Sequence, residues 1–516
     1  MSQHINIQEG SQSSFIKFLF QNQKNRKLLG IAIVGTIFQF AIFKSLYPFA
    51  DFFSDSYSYI FAASANLDIN IWPIGYSKFL RAFHELTHSD TAVVAFQYFF
   101  LEVSSLYFFF TLIYFYKPGK STQNILFIFL FFNPLFLYIS NYINSDPLFA
   151  ALSLVWITEL FWIIHRPRHY HIFTQGILLF LAFTVRNNAY YYPFVAAVAF
   201  LLSKQPARLK LAGIIFPLLL ILPFVIHSRN EAYKLTGTKQ FSLFTGWQLA
   251  NNALYMYGHL QVDSNQLATV ETRELNNYSR QFYNKVPVDF TDYLSEYVAN
   301  FFIRQPESPL KQYFKRNYHP KDEYEIVVDW GKASVVYGDY GAWLIKRYPV
   351  QFAKFFMLLN TKNYFFPPLE KLEVYNLGQD DVEPLAQDWF DFKAPSISAI
   401  SKTAQGKILF LFPYIFFFLN ALYVGSIVWL ILKRKTIRPD WKFKPALFLT
   451  GIMIVANFIF CVFATIIVLR YQFFPMIVML TVPLLLIEVI ETSGTRDKIR
   501  EIPVLNNNTN FELSEV

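Results

Sequence analysis

Apolar runs of near-membrane length alternate with short polar breaks along most of the chain. About 20 apolar residues cross a bilayer. The runs predict ten spans, at about 28–47, 92–116, 124–140, 147–164, 172–185, 189–203, 211–227, 407–432, 445–469 and 472–490. The fifth and sixth are too short for a full crossing. Their tip, Arg186-Asn187-Asn188, is therefore expected below the membrane surface, in a protein-lined cavity where irregular backbone is tolerated.

Residues 228–406 break the pattern and read as one polar insert. Helices are predicted in it at 290–303 and 336–360. The second carries an apolar stripe (Trp343, Leu344, Tyr348, Phe352, Phe355, Phe356) beside Lys346, Arg347 and Lys354, the pattern of a helix lying on the membrane interface. Phe365-Phe366-Pro367-Pro368 ends it, and 373–400 reads as loop. The expected fold class is an all-α polytopic membrane protein of about ten transmembrane helices. A mixed, mostly helical extracytoplasmic domain is inserted between spans seven and eight. The expected division is a cytoplasmic tail 1–27, a transmembrane module 28–227 with its first outward loop at 48–91, an outer domain 228–406, C-terminal spans 407–490 and a second tail 491–516.

Composition strengthens this. Of 516 residues, 54% are hydrophobic, 20% aromatic and only 16% charged, where a soluble chain carries about 25% charged residues. The net charge of +9 does not point to nucleic acid, because cytoplasmic loops of membrane proteins collect Lys and Arg. No cleavable signal peptide is evident, and the first apolar run reads as a signal anchor. The one cysteine, Cys461, excludes an intramolecular disulfide and a multi-cysteine metal site. If the basic segments 24–27, 117–120, 165–171, 204–210, 433–444 and 496–500 are cytoplasmic, the loop with Asp51 and Asp55, the tip with Asp146, the tip with Arg186, the insert and the tip with Arg470 all face outward.

Asp51 and Asp55 are four residues apart, a spacing that on a helix puts both on one face. They also fit a polar loop at a span exit. Asp146, in Ser145-Asp146-Pro147, also fits a helix start with Ser or Asp as cap. Arg186 and Arg470 also fit snorkelling anchors. Glu159 reads as structural and Glu102 as facing the bundle interior, while His165, His169 and His171 read as charge on the opposite side. Carboxylates and arginines gathered on one side suit transfer of a group from a phosphate ester. A carboxylate can take the acceptor's proton, and an Arg fork can hold a leaving phosphate. Outside the cytoplasm the activated donor has to come in the membrane. No Walker motif, dinucleotide loop or nucleophile elbow is present.

Together these segments resemble the polytopic GT-C superfamily of glycosyltransferases, of the dolichyl-phosphate-mannose and aminoarabinose transferase kind, over about 28–490. Phe53-Ser54-Asp55-Ser56-Tyr57-Ser58-Tyr59 is similar to the family's acidic motif at the start of its first outward loop, and Trp72-Pro73-Ile74-Gly75-Tyr76 to the Pro/Gly-Tyr segment after it. Ser145-Asp146-Pro147, Arg186, Arg229-Asn230 with Gly237 and Gly246, and Arg470-Tyr471 with Pro475 resemble later family segments. The resemblance implies an inverting transfer from a polyprenyl-phosphate-linked sugar to a glycan, lipid or protein acceptor. The site would face the outside of the cytoplasmic (inner) membrane. By the same resemblance Asp55 is the general base and Asp146 orients a substrate. Arg186 and Arg470 bind the polyprenyl phosphate, with Arg229 and His227 as weaker phosphate candidates. Many members carry two adjacent acids, whereas Ser56 follows Asp55 here. That leaves a divalent metal on Asp51 and Asp55 open, with no other cofactor implied. Competing readings are a glycan polymerase or ligase using lipid diphosphates, and a lipid or glycan transporter.

Overall fold

The computed structural model describes residues 14–287, 300–433 and 441–500, with backbone alone over 492–500. The protein is an all-α membrane protein. Among the described residues, eight helices are long and apolar enough to cross a membrane: Gln23–Leu46, Asp90–Tyr116, Lys120–Asn141, Ser145–His165, Ala207–Thr236, Ala404–Leu432, Lys444–Ala464 and Leu469–Glu491. These eight correspond to the ten predicted spans less the fifth and sixth, which were expected to be too short for a full crossing. The other two form the expected short hairpin, Tyr170–Val185 and Tyr192–Leu202. Arg186 turns extended between them, a 3-10 turn covers Asn187–Tyr191, and Pro193 opens the next helix.

Ser145–His165 is the axis of the bundle and is buried along almost its whole length. The cap of this helix is neither Ser145 nor Asp146. Asn144 Oδ1 accepts the Ser145 N–H at 2.6 Å, which leaves the Asp146 carboxylate available to other partners. At the far end Glu159 accepts from Tyr107 at 2.7 Å and lies 2.5 Å from His171 Nδ1. His171, expected as surface charge, is instead buried in this pair.

The helix expected to stop at 227 runs on as Ala207–Thr236, 30 residues or about 45 Å. The 227/228 boundary therefore falls inside a helix, which ends at Gly237 in the left-handed region at φ 73°. In the insert, Thr245–Tyr257 packs on Glu323–Arg347. Their backbones touch at Gly246, where a Cβ would stand 1.6 Å from the Ser334 carbonyl oxygen. The predicted helix 336–360 is broken after Arg347, because Pro349 follows. Leu344, Phe352 and Phe356 face the insert's own core rather than a membrane interface. Most of the predicted helix 290–303 lies outside the described residues. The stretch 373–400 is largely irregular, as expected, with a 3-10 turn at Tyr375–Gly378 and a short α-helix at Pro384–Trp389.

Two asparagines of the insert hold the end of a span. The last carbonyls of a helix lack partners. Asn360 Nδ2 donates to the carbonyls of Cys461, Val462 and Thr465 at 2.6–3.2 Å. Asn252 Nδ2 donates to those of Phe463 and Ala464 at 3.1 Å. Leu469 N–H then bonds the Pro368 carbonyl at 2.9 Å. The extended link between the last two spans is pinned from both sides, and it delivers Arg470.

Candidate active site

Arg470 lies among three carboxylates. Its NH1 donates to Asp146 Oδ2 at 3.0 Å, its NH2 is 3.7 Å from Asp55 Oδ2, and its Nε is 3.5 Å from Glu370 Oε2. Arg186 comes from the hairpin tip to the other Asp146 oxygen and to Ser145 Oγ at 3.1 Å. Lys371 Nζ is 3.3 Å from Asp55 Oδ1, and Arg304 NH2 is 2.6 Å from Glu370 Oε1. Three acids thus meet four cations, an excess of one positive charge. All but Arg304 are buried or nearly so. Aromatic faces close the cluster: Phe53 lies under Lys371 and Arg470, and Tyr471 under both Arg186 and Arg470.

Local sequence sets each position. Asp55 is in the first turn of the Ser54–Ser64 helix, where an anion suits the helix dipole. Ser56 Oγ accepts the Phe53 N–H at 3.2 Å and fixes that turn. Glu370 holds a left-handed backbone at φ 55°, an unusual conformation for a non-glycine residue and one that aims it inward. Burial alone would raise the Asp55 carboxyl, but Lys371, Arg470 and Arg304 outweigh it and hold Asp55 below its ordinary value. The same cations outweigh burial at Glu370 and bring it down to about 2. Lys371 is lowered to about 8, chiefly by burial. A small cavity of ≈ 10 Å³, about the space of one water, opens beside Phe53, Tyr142, Asn144, Asp146, Lys371 and Arg470.

Of the six predicted site residues, Asp55, Asp146, Arg186 and Arg470 converge. Arg229 does not: it is exposed on the last turns of Ala207–Thr236 and has no ion pair with the cluster among the described residues. His227 pairs loosely with Asp68 and Glu231 instead. Asp51 and Asp55 do not share a helix face, because the helix begins only at Ser54. Asp51 lies in an extended bridge to Tyr142, and its Oδ1 accepts the Asn376 N–H at 2.8 Å. A metal held by this pair does not fit. Among the described residues no three His, Cys, Asp or Glu side chains converge on a point, and the two acids have separate partners, Asp51 the Asn376 N–H and Asp55 the cations Lys371 and Arg470. Glu370, Lys371 and Arg304 were missed, and Tyr471 had no role beyond its place beside Arg470. Glu370 and Lys371 follow Pro367-Pro368-Leu369, where the sequence shows only the end of a helix.

Burial raises Asp51 to about 7 against the hydrogen bonds from Asn376, Tyr142 and Gln405. The fold therefore holds a proton that the unfolded chain releases near its ordinary 3.8. Between those values the native state binds more protons, so this group's contribution to stability falls as pH rises. Asp51→Asn, which keeps an acceptor for Asn376, is expected to raise the melting temperature at pH 8 and change it little at pH 5. A wild-type curve no less stable at pH 8 than its Asn variant would remove this role.

No family model matches the chain, and no curated protein or solved structure matches it.

Proposed function

We propose that the protein is an inverting glycosyltransferase of the cytoplasmic membrane, moving a sugar from a polyprenyl-phosphate donor to an acceptor hydroxyl on the outer face. The observation that carries the reading is Asp55: an ionised, buried carboxylate paired with Lys371 and Arg470, two cations that themselves line a cavity. A base and the cations for a leaving phosphate are thereby within one site. The apolar Phe53, Ile139 and Leu372 in the same wall suit the first carbons of a lipid.

In the proposed reaction the acceptor oxygen attacks the anomeric carbon on the face opposite the phosphate. Its proton passes to Asp55 as the new C–O bond forms. The bond from the anomeric carbon to the phosphate oxygen breaks, and that oxygen keeps the electron pair. Arg470 and Lys371 turn from Asp55 to the phosphate, which frees the carboxylate and neutralises the leaving group. Arg186 holds Asp146 in place.

The test is purified protein with a panel of polyprenyl-phosphate sugars and candidate glycan, lipid and protein acceptors. Release of free polyprenyl phosphate, dependent on acceptor, is expected for at least one pair. Consumption of diphosphate donors alone would favour a polymerase or ligase, and lipid or glycan flux without transfer would favour a transporter.

A further inference from the structure

The cavity beside Lys371 and Arg470 has room for about one water. A phosphate enters this cluster only if a side chain gives way. Glu370 is the acid placed to do so. Its side chain is 7% exposed and stands against two guanidinium groups: Oε1 is 2.6 Å from Arg304 NH2, and Oε2 is 3.5 Å from Arg470 Nε. Lys371, the next residue, adds a third cation that favours the ionised carboxylate. Glu370 opens a four-residue 3-10 turn, Glu370–Glu373, so it can swing without breaking a long helix. Asp55, by contrast, is built into the Ser54–Ser64 helix, and Asp146 into the axial helix of the bundle.

The fit between Glu370 and Arg470 is incomplete. Glu370 Oε2 and Arg470 Nε are both buried, and neither makes a hydrogen bond among the described residues. The rest of the Arg470 fork is engaged: NH1 donates to Asp146 Oδ2 at 3.0 Å and NH2 to Tyr471 Oη at 3.1 Å. The Nε–H is left over, 94% of its side chain being out of water's reach. Asp146 shows what a well-matched acid looks like here, accepting from Asn144 as well as from both arginines. Glu370 therefore balances charge in this nest without meeting its donors. A buried donor left unpaired costs stability, and a better acceptor at the same place recovers that cost.

This chemistry selects the ligand. A metal ion would be repelled by the surrounding cations, and a neutral group would not replace the charge of Glu370. A phosphate replaces that charge, and its tetrahedral oxygens can accept from Arg470 Nε while facing Arg304 and Lys371. We propose that the Glu370 carboxylate fills a phosphate site, and that a phosphate ester binds by displacing it from Arg304, Arg470 and Lys371. The proposal deepens the glycosyltransferase reading above and rests on it for the identity of the ester. Charge then orders the cycle. A polyprenyl-phosphate sugar is a diester with one negative charge, so it exchanges evenly with Glu370. The polyprenyl phosphate left after transfer is a monoester, with a charge of about −1.5 to −2 at pH 7. The nest holds it more tightly than the donor, and the return of Glu370 drives it out.

The experiment measures equilibrium binding of polyprenyl phosphate, inorganic phosphate and uncharged polyprenol to the full chain in nanodiscs, beside a melting curve. Glu370→Gln is expected to bind at least one of the two phosphates about tenfold more tightly than the wild type does, with polyprenol unchanged. Adding Arg304→Gln to that variant should take back about three- to tenfold. If Glu370→Gln does not fold, Glu370→Asp draws the charge back by one carbon and should tighten phosphate binding by a smaller factor. A gain for polyprenyl phosphate alone identifies a lipid-borne phosphate, and a gain for inorganic phosphate alone a free one. Phosphate binding that is unchanged or weaker in the folded Glu370 variant, an equal gain for polyprenol, or no loss on adding Arg304→Gln overturns the proposal. Tighter phosphate binding without sugar transfer from any donor sinks the glycosyltransferase reading and leaves the phosphate site standing. Sugar transfer with phosphate affinity unmoved by the Glu370 variant sinks the phosphate site alone.

Discussion

Asp55→Asn is expected to fold as the wild type does, bind the lipid donor at least as well, and lose at least about 10²-fold in turnover. An acceptor hydroxyl is a poor nucleophile at neutral pH, and a placed carboxylate contributes roughly 10²–10⁴-fold by taking its proton. Asparagine keeps the shape and can still accept from Lys371, but it cannot take the proton. It also removes the anion that competes with the donor phosphate for Lys371 and Arg470. The expected signature is therefore a fall in kcat with donor KM unchanged or lower. A stabilising role alone would give the reverse: a lower melting temperature with kcat per folded molecule preserved. Steady-state kinetics beside a melting curve separate the two, and near-normal turnover would end the carboxylate-base mechanism at this loop.

The charged side chains that converge were legible in the sequence unevenly, for physical reasons. Asp55, Asp146, Arg186 and Arg470 each interrupt or border an apolar run, where an uncompensated charge is costly, so each was conspicuous. Glu370 and Lys371 lie in a polar insert where charge is ordinary. The fold brings this segment beside Arg470 through the bond from Leu469 to the Pro368 carbonyl, a pairing that no sequence pattern announces. Asp51 misled because its spacing from Asp55 matches a helix, while the chain stays extended until Ser54 to pair with Asn141 and Ile143. The stripe after Trp343 misled in the same way: an apolar helical face looks alike whether it meets a membrane or another helix. The eight long spans were legible because length and apolarity alone define them. The continuation of one span to Thr236 was not, because its last turns are polar.

Arg470→Ala is expected to destabilise the fold by about 3–5 kcal/mol, the cost of breaking a buried ion pair by removing one partner. The guanidinium is 6% exposed and stands among Asp55, Asp146 and Glu370. Its removal leaves Asp146 with one cation, Arg186, and the Asn144 amide, and gives the cluster one cation fewer to hold three carboxylates. Arg470→Lys should restore part of the loss, because an ammonium is a point charge and cannot reach three acids as a planar fork does. If Arg470 were an interfacial anchor instead, its head would be in water and its loss would cost about 1 kcal/mol or less. The two cases differ enough for denaturant unfolding in nanodiscs to decide. A cycle with Asp146→Asn sharpens it: with the carboxylate neutralised, Arg470→Ala should cost distinctly less than in the wild type, because the charge left unpaired is already gone. Equal costs in both backgrounds would mean that Arg470 does not compensate Asp146, and the cluster would lose its central cation.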